Sequence, residues 1–477
     1  MGRLHGHGAG LDQDLYLRRQ VRRSEWAFSV RAIVAALMAL AACTAFVLGG
    51  VVPGTSAALT VRSTTVRSVG AVAGLTSATS GQPTRATGAI QGLPGTGRAF
   101  SYGYDLAAEG AYTSTTAPGA SAARRVATTV SGALVDVPIM GWGVGNPEVS
   151  PGVFDFTQIA KRIAFVQATG GVPVVTLSGA PDWMKGGQAG TTDWSQIDVA
   201  PVPSHYADFA TLSAAVAQAF PQVTYFVVWK EMKGFWDAPT NSWDAVDYTT
   251  MYNDVYLAIK AVRPDARVGG PYVSVQSHSG PASVTRPTPT GAWGTVRPQA
   301  LAAISYWLSH STGADFLAVD GTAFTSDAGL TTDPLDSTAK YAATDAWLRR
   351  QTALPIVWME SHLLPDPTVA TQQQQSALRI AALLQMASSG AGAGLQWNPE
   401  SAPTWDQGLW AGSDLPGGGQ STELARELPA VLRVLAAPVS LVGGEPPGTL
   451  AATGPDGTVT VVMTATTASV TVTPARA

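Results

Sequence analysis

Two apolar runs in this sequence end in a carboxylate, Val227-Val228-Trp229-Lys230-Glu231 and Ile356-Val357-Trp358-Met359-Glu360. Two carboxyl groups facing each other across a cleft are what glycosidic bond cleavage needs: one protonates the leaving oxygen, and the other attacks the anomeric carbon or activates water. Either Glu alone is as well explained as a solvated charge at a strand end; the matched pair is what points to chemistry. Around them, Trp142, Trp183, Trp236, Tyr272 and Trp397 are candidates to stack on the C–H faces of a sugar, and each could instead fill core. His205, Lys230, Lys233 and Asp320 are the polar candidates for sugar contacts, set against the reading of ordinary rim residues.

Several other chemistries are excluded by residue usage. The single cysteine, Cys43, lies inside an apolar N-terminal run, so thiol nucleophiles, disulfide scaffolding and thiolate metal sites are ruled out for the rest of the chain. The six histidines show no paired-ligand spacing, so neither a metal nor a cofactor is expected. A net charge of -4 gives no electrostatic case for nucleic acid, and 45% hydrophobic with 13% charged residues describes a chain with a large core.

The elements that would position the two glutamates alternate along the chain. Candidate strands are Phe100–Tyr104, Val135–Trp142, Val172–Ser178, Tyr225–Glu231, Arg267–Pro271, Phe316–Asp320, Pro355–Glu360 and Gly394–Trp397. Helical patterns fall between them at Phe156–Thr169, Tyr206–Phe220, Tyr248–Val262, Gln299–Ser309, Thr338–Gln351 and Thr371–Ser388. Such alternation predicts an α/β fold, a (β/α)8 TIM barrel over 98–437, whose active site sits at the C-terminal ends of the strands. The glutamates end the fourth and seventh strands, across the barrel from one another. From 438 to 477 the pattern changes to alternating runs, Thr458–Met463 and Ala468–Val472, with Gly-Pro-Asp-Gly at 454–457, which predicts a small β appendage.

The N-terminus reads as an export segment. Arginines 3, 18, 19, 22, 23 and 31 precede the apolar stretch Ala32–Val52, which places the chain beyond Val52 outside the cytoplasmic membrane. Residues 1–58 are then a signal peptide cut near Thr55–Ala58 or a retained signal anchor, and Leu40–Cys43 admits a lipoprotein reading. The membrane is expected to be touched only through this segment. Residues 59–97, rich in Ser, Thr, Gly and Ala, read as a flexible linker.

Ordered motifs across about 130–400 resemble clan A glycosidases, most closely glycoside hydrolase family 39, the β-xylosidase/α-iduronidase family. Trp229–Trp236 is similar to the segment around that family's acid/base, Pro151–Phe156 to its Pro-Gly-x-Tyr/Phe-Asp motif, and Ser178–Trp183 to its third-strand end. Val268–Pro271 resembles its fifth-strand Gly-Gly-Pro and Trp358–Glu360 its nucleophile strand, while Trp183 and Trp397 match its strand-three and strand-eight tryptophans. The resemblance implies a retaining double displacement on a carbohydrate substrate, with Glu231 as acid/base and Glu360 as nucleophile. The reading that competes with it is a carbohydrate-binding barrel with little or no catalysis.

Two departures stand out. Lys230 replaces the family's asparagine, and Asp320–Phe324 lacks the His-x-Tyr of its sixth strand. An ammonium beside Glu231 would favour the carboxylate, the wrong form for an acid. Strict strand alternation turns Lys230 away from the cleft; a lysine pointing inward could instead recognise an acidic sugar, with Lys233 as a second cation.

Overall fold

The computed structural model describes residues 92–475 except 107–110, 115, 142, 282–286 and 402–407. Trp142 and the proposed export segment with Cys43 lie outside the described residues. Among those described, no helix is long and apolar enough to cross a membrane.

Parallel strands covered on both faces need unbroken apolar runs, and Tyr225-Phe226-Val227-Val228 is buried at all four positions. Eight such strands form the barrel: β1 Ser101–Asp105, β2 Leu134–Pro138, β3 Val172–Leu177, β4 Tyr225–Val228, β5 Arg267–Ser274, β6 Phe316–Thr322, β7 Ile356–His362 and β8 Ala393–Trp397. They pair in chain order, and β1 closes the ring against β8. A helix follows each strand: α1 Ala120–Thr129, α2 Thr157–Ala168, α3 Tyr206–Ala219, α4 Ala245–Val262, α5 Pro298–His310, α6 Ala339–Arg349, α7 Gln372–Ser388 and α8 Glu423–Leu435. The chain is therefore a (β/α)8 barrel.

Side chains such as Leu134, Val174, Val227, Ala318, Val357 and Leu395 fill the interior. Leu93 joins them, and the Tyr225 hydroxyl donates to the Pro94 carbonyl at 2.5 Å. Polar groups inside the ring come later along each strand: Asp105, Asp136, Asp320 and Glu360 are all buried.

Strand ends differ from the sequence expectation where the backbone leaves β geometry. β2 stops at Pro138 rather than reaching Trp142, and β4 stops at Val228 rather than Glu231. Trp229, Glu231 and Met232 have φ of 67°, 53° and 49°, the left-handed region, which no strand can contain. β5, β6 and β7 run on to Ser274, Thr322 and His362.

The C-terminal segment forms an antiparallel sheet, β9 Ser440–Leu441, β10 Thr449–Gly454, β11 Gly457–Met463 and β12 Ala468–Pro474. Its core-side residues Val459, Val461 and Met463 are buried, and β11 and β12 pack on α7. That helix starts at a capping box between Thr371 and Gln374 and is buried from Ser376 through Ala387. The Gln374 side-chain amide also donates to the Thr464 and Ala465 carbonyls of the sheet.

Candidate active site

Glu360 reaches the site through a break in strand alternation. On β7, Val357 and Met359 face the barrel interior, whereas Trp358 faces the helices. There the Trp358 indole N–H donates to Asp345 Oδ1 on α6 at 2.9 Å, and its ring meets Tyr341 edge-on. Regular alternation would send Glu360 outward with Trp358. Instead Val319 pairs with Trp358 and Asp320 with Glu360, so Met359 is an extra residue and Glu360 comes after it pointing inward. From α7, Arg379 Nη1 donates to the Ser361 carbonyl at 3.0 Å and to Ser361 Oγ at 2.5 Å, holding the end of the strand.

Lys230 is placed by the left-handed turn after β4. Left-handed backbone costs roughly 1–2 kcal/mol for each non-glycine residue, so three in four positions need compensation. Trp229 and Met232 supply it by burial, and the Trp229 indole donates to the Lys233 carbonyl at 2.7 Å. Gly234 lets the turn press against the β3–α3 loop: a Cβ there would lie 2.4 Å from the Ala200 nitrogen. Within this turn Lys230 points into the barrel, with Nζ 3.0 Å from Asp105 Oδ2 and 2.5 Å from Glu360 Oε1. The expectation that strand alternation turns Lys230 away is thus corrected, because residue 230 is no longer in a strand.

Glu231 lies at the rim, its side chain 21% exposed and its Oε2 2.9 Å from Lys233 Nζ, which also lies 3.6 Å from Asp198 Oδ1. Lys230 thus points inward, as recognition of an acidic sugar would require, but both lysines are already matched by protein carboxylates. Beside Lys230 and Lys233 lies an open depression whose walls include Ser178, Ile197 and Asp198; neither glutamate is among its lining residues.

Burial alone would push the Glu360 carboxyl up, but Lys230, then His362 at 3.5 Å, and Asp105 outweigh it and hold Glu360 well below the usual carboxylate range. At Asp105 burial wins, and the carboxyl is raised well above its ordinary value despite Lys230. Asp136, which accepts from Thr176 Oγ1, is pushed up by burial to about 7, and burial also raises Asp320, with Glu231 and Glu360 adding to it. Burial opposes the charge on Lys230, yet Asp105, Glu360 and Glu231 keep its pKa well above the usual lysine value. The centre thus sets the Lys230 ammonium against the Glu360 carboxylate, beside Asp105 and Asp320, whose carboxyls burial raises.

The remaining candidates divide by environment. Tyr272 is fully buried, and its hydroxyl and the Trp236 indole N–H are donors without a hydrogen-bond partner among the described residues. Glu360, Asp105, Asp136 and Asp320 add to burial in raising the Tyr272 pKa, so its phenol stays a neutral donor among carboxyls. Trp397 lies beside His362, ring centroids 6.1 Å apart. Trp183 is engaged by the protein: its N–H donates to the Glu148 carbonyl, and it meets His205 edge-on. His205 in turn pairs with Asp208 at 2.7 Å at the start of α3. Sequence reasoning missed Asp105, Asp136 and His362. The rule that found the glutamates, a strand run finishing in an acid, also finds Ser101–Asp105.

Three solved structures share the fold. A family 39 glycoside hydrolase from Bacteroides cellulosilyticus aligns with 77% of this chain and 71% of its own at 13% identity, TM-score 0.52. A monomeric β-xylosidase from Caulobacter crescentus aligns over 76% and 73% at 18% identity, TM-score 0.51. A glucosidase from Croceicoccus marinus aligns over 80% and 76% at 15% identity, TM-score 0.50. The fold is thus that of a glycoside-hydrolase-like barrel, structurally similar to family 39. No family model and no curated protein sequence matches the chain.

Proposed function

We propose that the protein is a retaining glycoside hydrolase, with Glu360 as nucleophile and Glu231 as acid and then base. The observation that carries this reading is the pair itself: Glu360 is held ionised at the end of β7, and Glu231 stands at the solvent rim after β4. In the first step Glu360 attacks the anomeric carbon while Glu231 protonates the departing oxygen; in the second, water deprotonated by Glu231 releases the sugar. The unpartnered Tyr272 and Trp236 donors suit a hydroxyl-rich ligand, since buried donors left unpaired cost about 1–3 kcal/mol each. The similar structures' names make aryl β-xylosides and aryl glucosides the first substrates to try.

One observation favours a second reading. Lys230 Nζ sits on Glu360 Oε1, and an ion pair there opposes attack by that oxygen. A barrel that binds glycans with little turnover would tolerate this contact. Turnover of aryl glycosides separates the two: Glu360→Ala should abolish it and azide should partly restore it, because a small anion can enter the space of a lost nucleophile. A folded Glu360→Ala protein with unchanged turnover removes Glu360 from the mechanism, and a wild type that binds glycans without turnover establishes the second reading.

A further inference from the structure

The loop between β3 and α3 carries an aromatic side chain that the catalytic cleft does not use. Trp194 is 46% exposed, and no other described tryptophan is as open to solvent. An exposed indole presents a large flat apolar face with a polar N–H at its edge, which the C–H face of a sugar ring can cover. The backbone beneath it is nevertheless firmly built. Asp182 Oδ2 accepts from the Asp193 N–H at 2.5 Å, and Asp193 Oδ1 accepts from the Ser195 N–H at 3.0 Å. Lys185 Nζ donates to the Gln196 carbonyl at 2.8 Å, and Asn146 Nδ2 donates to Thr192 Oγ1 at 2.9 Å from the neighbouring loop.

The position relates this indole to the cleft. One short turn later, Ile197 and Asp198 form part of the wall of the depression beside Lys230 and Lys233, and Asp198 faces Lys233, the partner of Glu231. Three residues span at most about 10 Å, so the Trp194 Cα lies within that distance of the Ile197 Cα in the wall. Trp183, the stacking candidate on the same loop, is half-buried with its N–H engaged. We infer that Trp194 is a sugar-stacking platform outside the cleavage site, which recognises the C–H face of a further unit of an oligo- or polysaccharide chain running out of the cleft. This rests on the proposed carbohydrate function and narrows it to ligands of several units.

The test is affinity against chain length, on a panel of β-linked xylo-, gluco- and manno-oligosaccharides of two to six units, with aryl glycoside turnover measured separately on the wild type. Wild-type affinity should rise with length on at least one series. Trp194→Ala should weaken binding of the longest member about tenfold, the size of one aromatic face, and flatten the rise with length. Trp194→Tyr should keep most of the rise, and Phe154→Ala, at an exposed ring on the neighbouring loop, should leave it intact. A rise with length that survives Trp194→Ala overturns the platform and leaves the glycosidase reading standing. Absence of binding to every series, with turnover of aryl glycosides present, also overturns the platform alone; absence of both binding and turnover removes the two readings together.

Discussion

The Lys230 ammonium bridges two carboxyls from strands separated only by β8, 3.0 Å from Asp105 Oδ2 on β1 and 2.5 Å from Glu360 Oε1 on β7. It occupies the position where the resemblance leads one to expect a neutral amide. The charge that a lysine brings to this position is therefore matched within the protein, by direct contact with Asp105 and Glu360, while the cation in contact with Glu231 is Lys233.

Lys230→Met should cost about 3–5 kcal/mol of stability, as breaking a buried ion pair from one side does, and urea unfolding measures it. The same change removes the group that holds Glu360 ionised, so the acid limb of kcat/KM against pH should move upward. An acid limb that stays in place would mean that Glu360 does not set it.

Because both lysines already face carboxylates, the wild type should show no strong preference for uronic acids. The ratio of kcat/KM on an aryl β-glucuronide and the matching glucoside should stay within about tenfold, short of the one to two orders that a free buried cation would give. A preference of two orders for the uronide would show that a lysine leaves its protein partner when substrate binds.

Glu231→Ala should slow substrates with poor leaving groups by about 10²–10⁴ and activated aryl glycosides far less, since only the former need protonation. Equal losses across leaving groups would remove Glu231 from the acid role.

Asp345 supplies a pH test away from the cleft. Burial raises its pKa to about 7, against the hydrogen bonds from Ser389 and Trp358. The folded state therefore keeps a proton that the unfolded chain loses near pH 4, so this contribution is complete below about pH 4 and is lost as pH rises through 7. Wild type should fall in stability relative to Asp345→Asn between pH 4.5 and 7.5, by at most about 4 kcal/mol, as read from urea unfolding at the two pH values. Parallel pH dependence in the two proteins would contradict the raised pKa.

Much of this arrangement could be read from residue order. Apolar runs and helical periods placed eight strands and six of the eight helices, because parallel strands covered on both faces must be apolar throughout. Side-chain direction at the strand ends was beyond a period-two reading. The extra residue Met359 reverses the sense of Glu360, and the left-handed turn at Trp229–Met232 brings Lys230 inward. Both depend on register between strands far apart in sequence. The Asp105–Lys230 contact spans 125 residues, and no local pattern signals it.

The export reading of Ala32–Val52 calls for a cellular test. A reporter fused after Ala477 should be active outside the cytoplasmic membrane, and activity confined to the cytosol would contradict it.

The helix behind the nucleophile strand has a consequence for how the chain can be cut. Past its first turn α7 is buried on the barrel side and again beneath β11 and β12, so Ser376 through Ala387 have no face prepared for water. A fragment ending at 437 would keep every strand of the barrel and both glutamates, yet it would present a bare apolar helix directly behind Ser361 and Glu360. Such a fragment is expected to aggregate, and the boundary between barrel and appendage is one of topology rather than of independent folding. Any shortened protein made to study the cleft should therefore carry its C-terminal sheet.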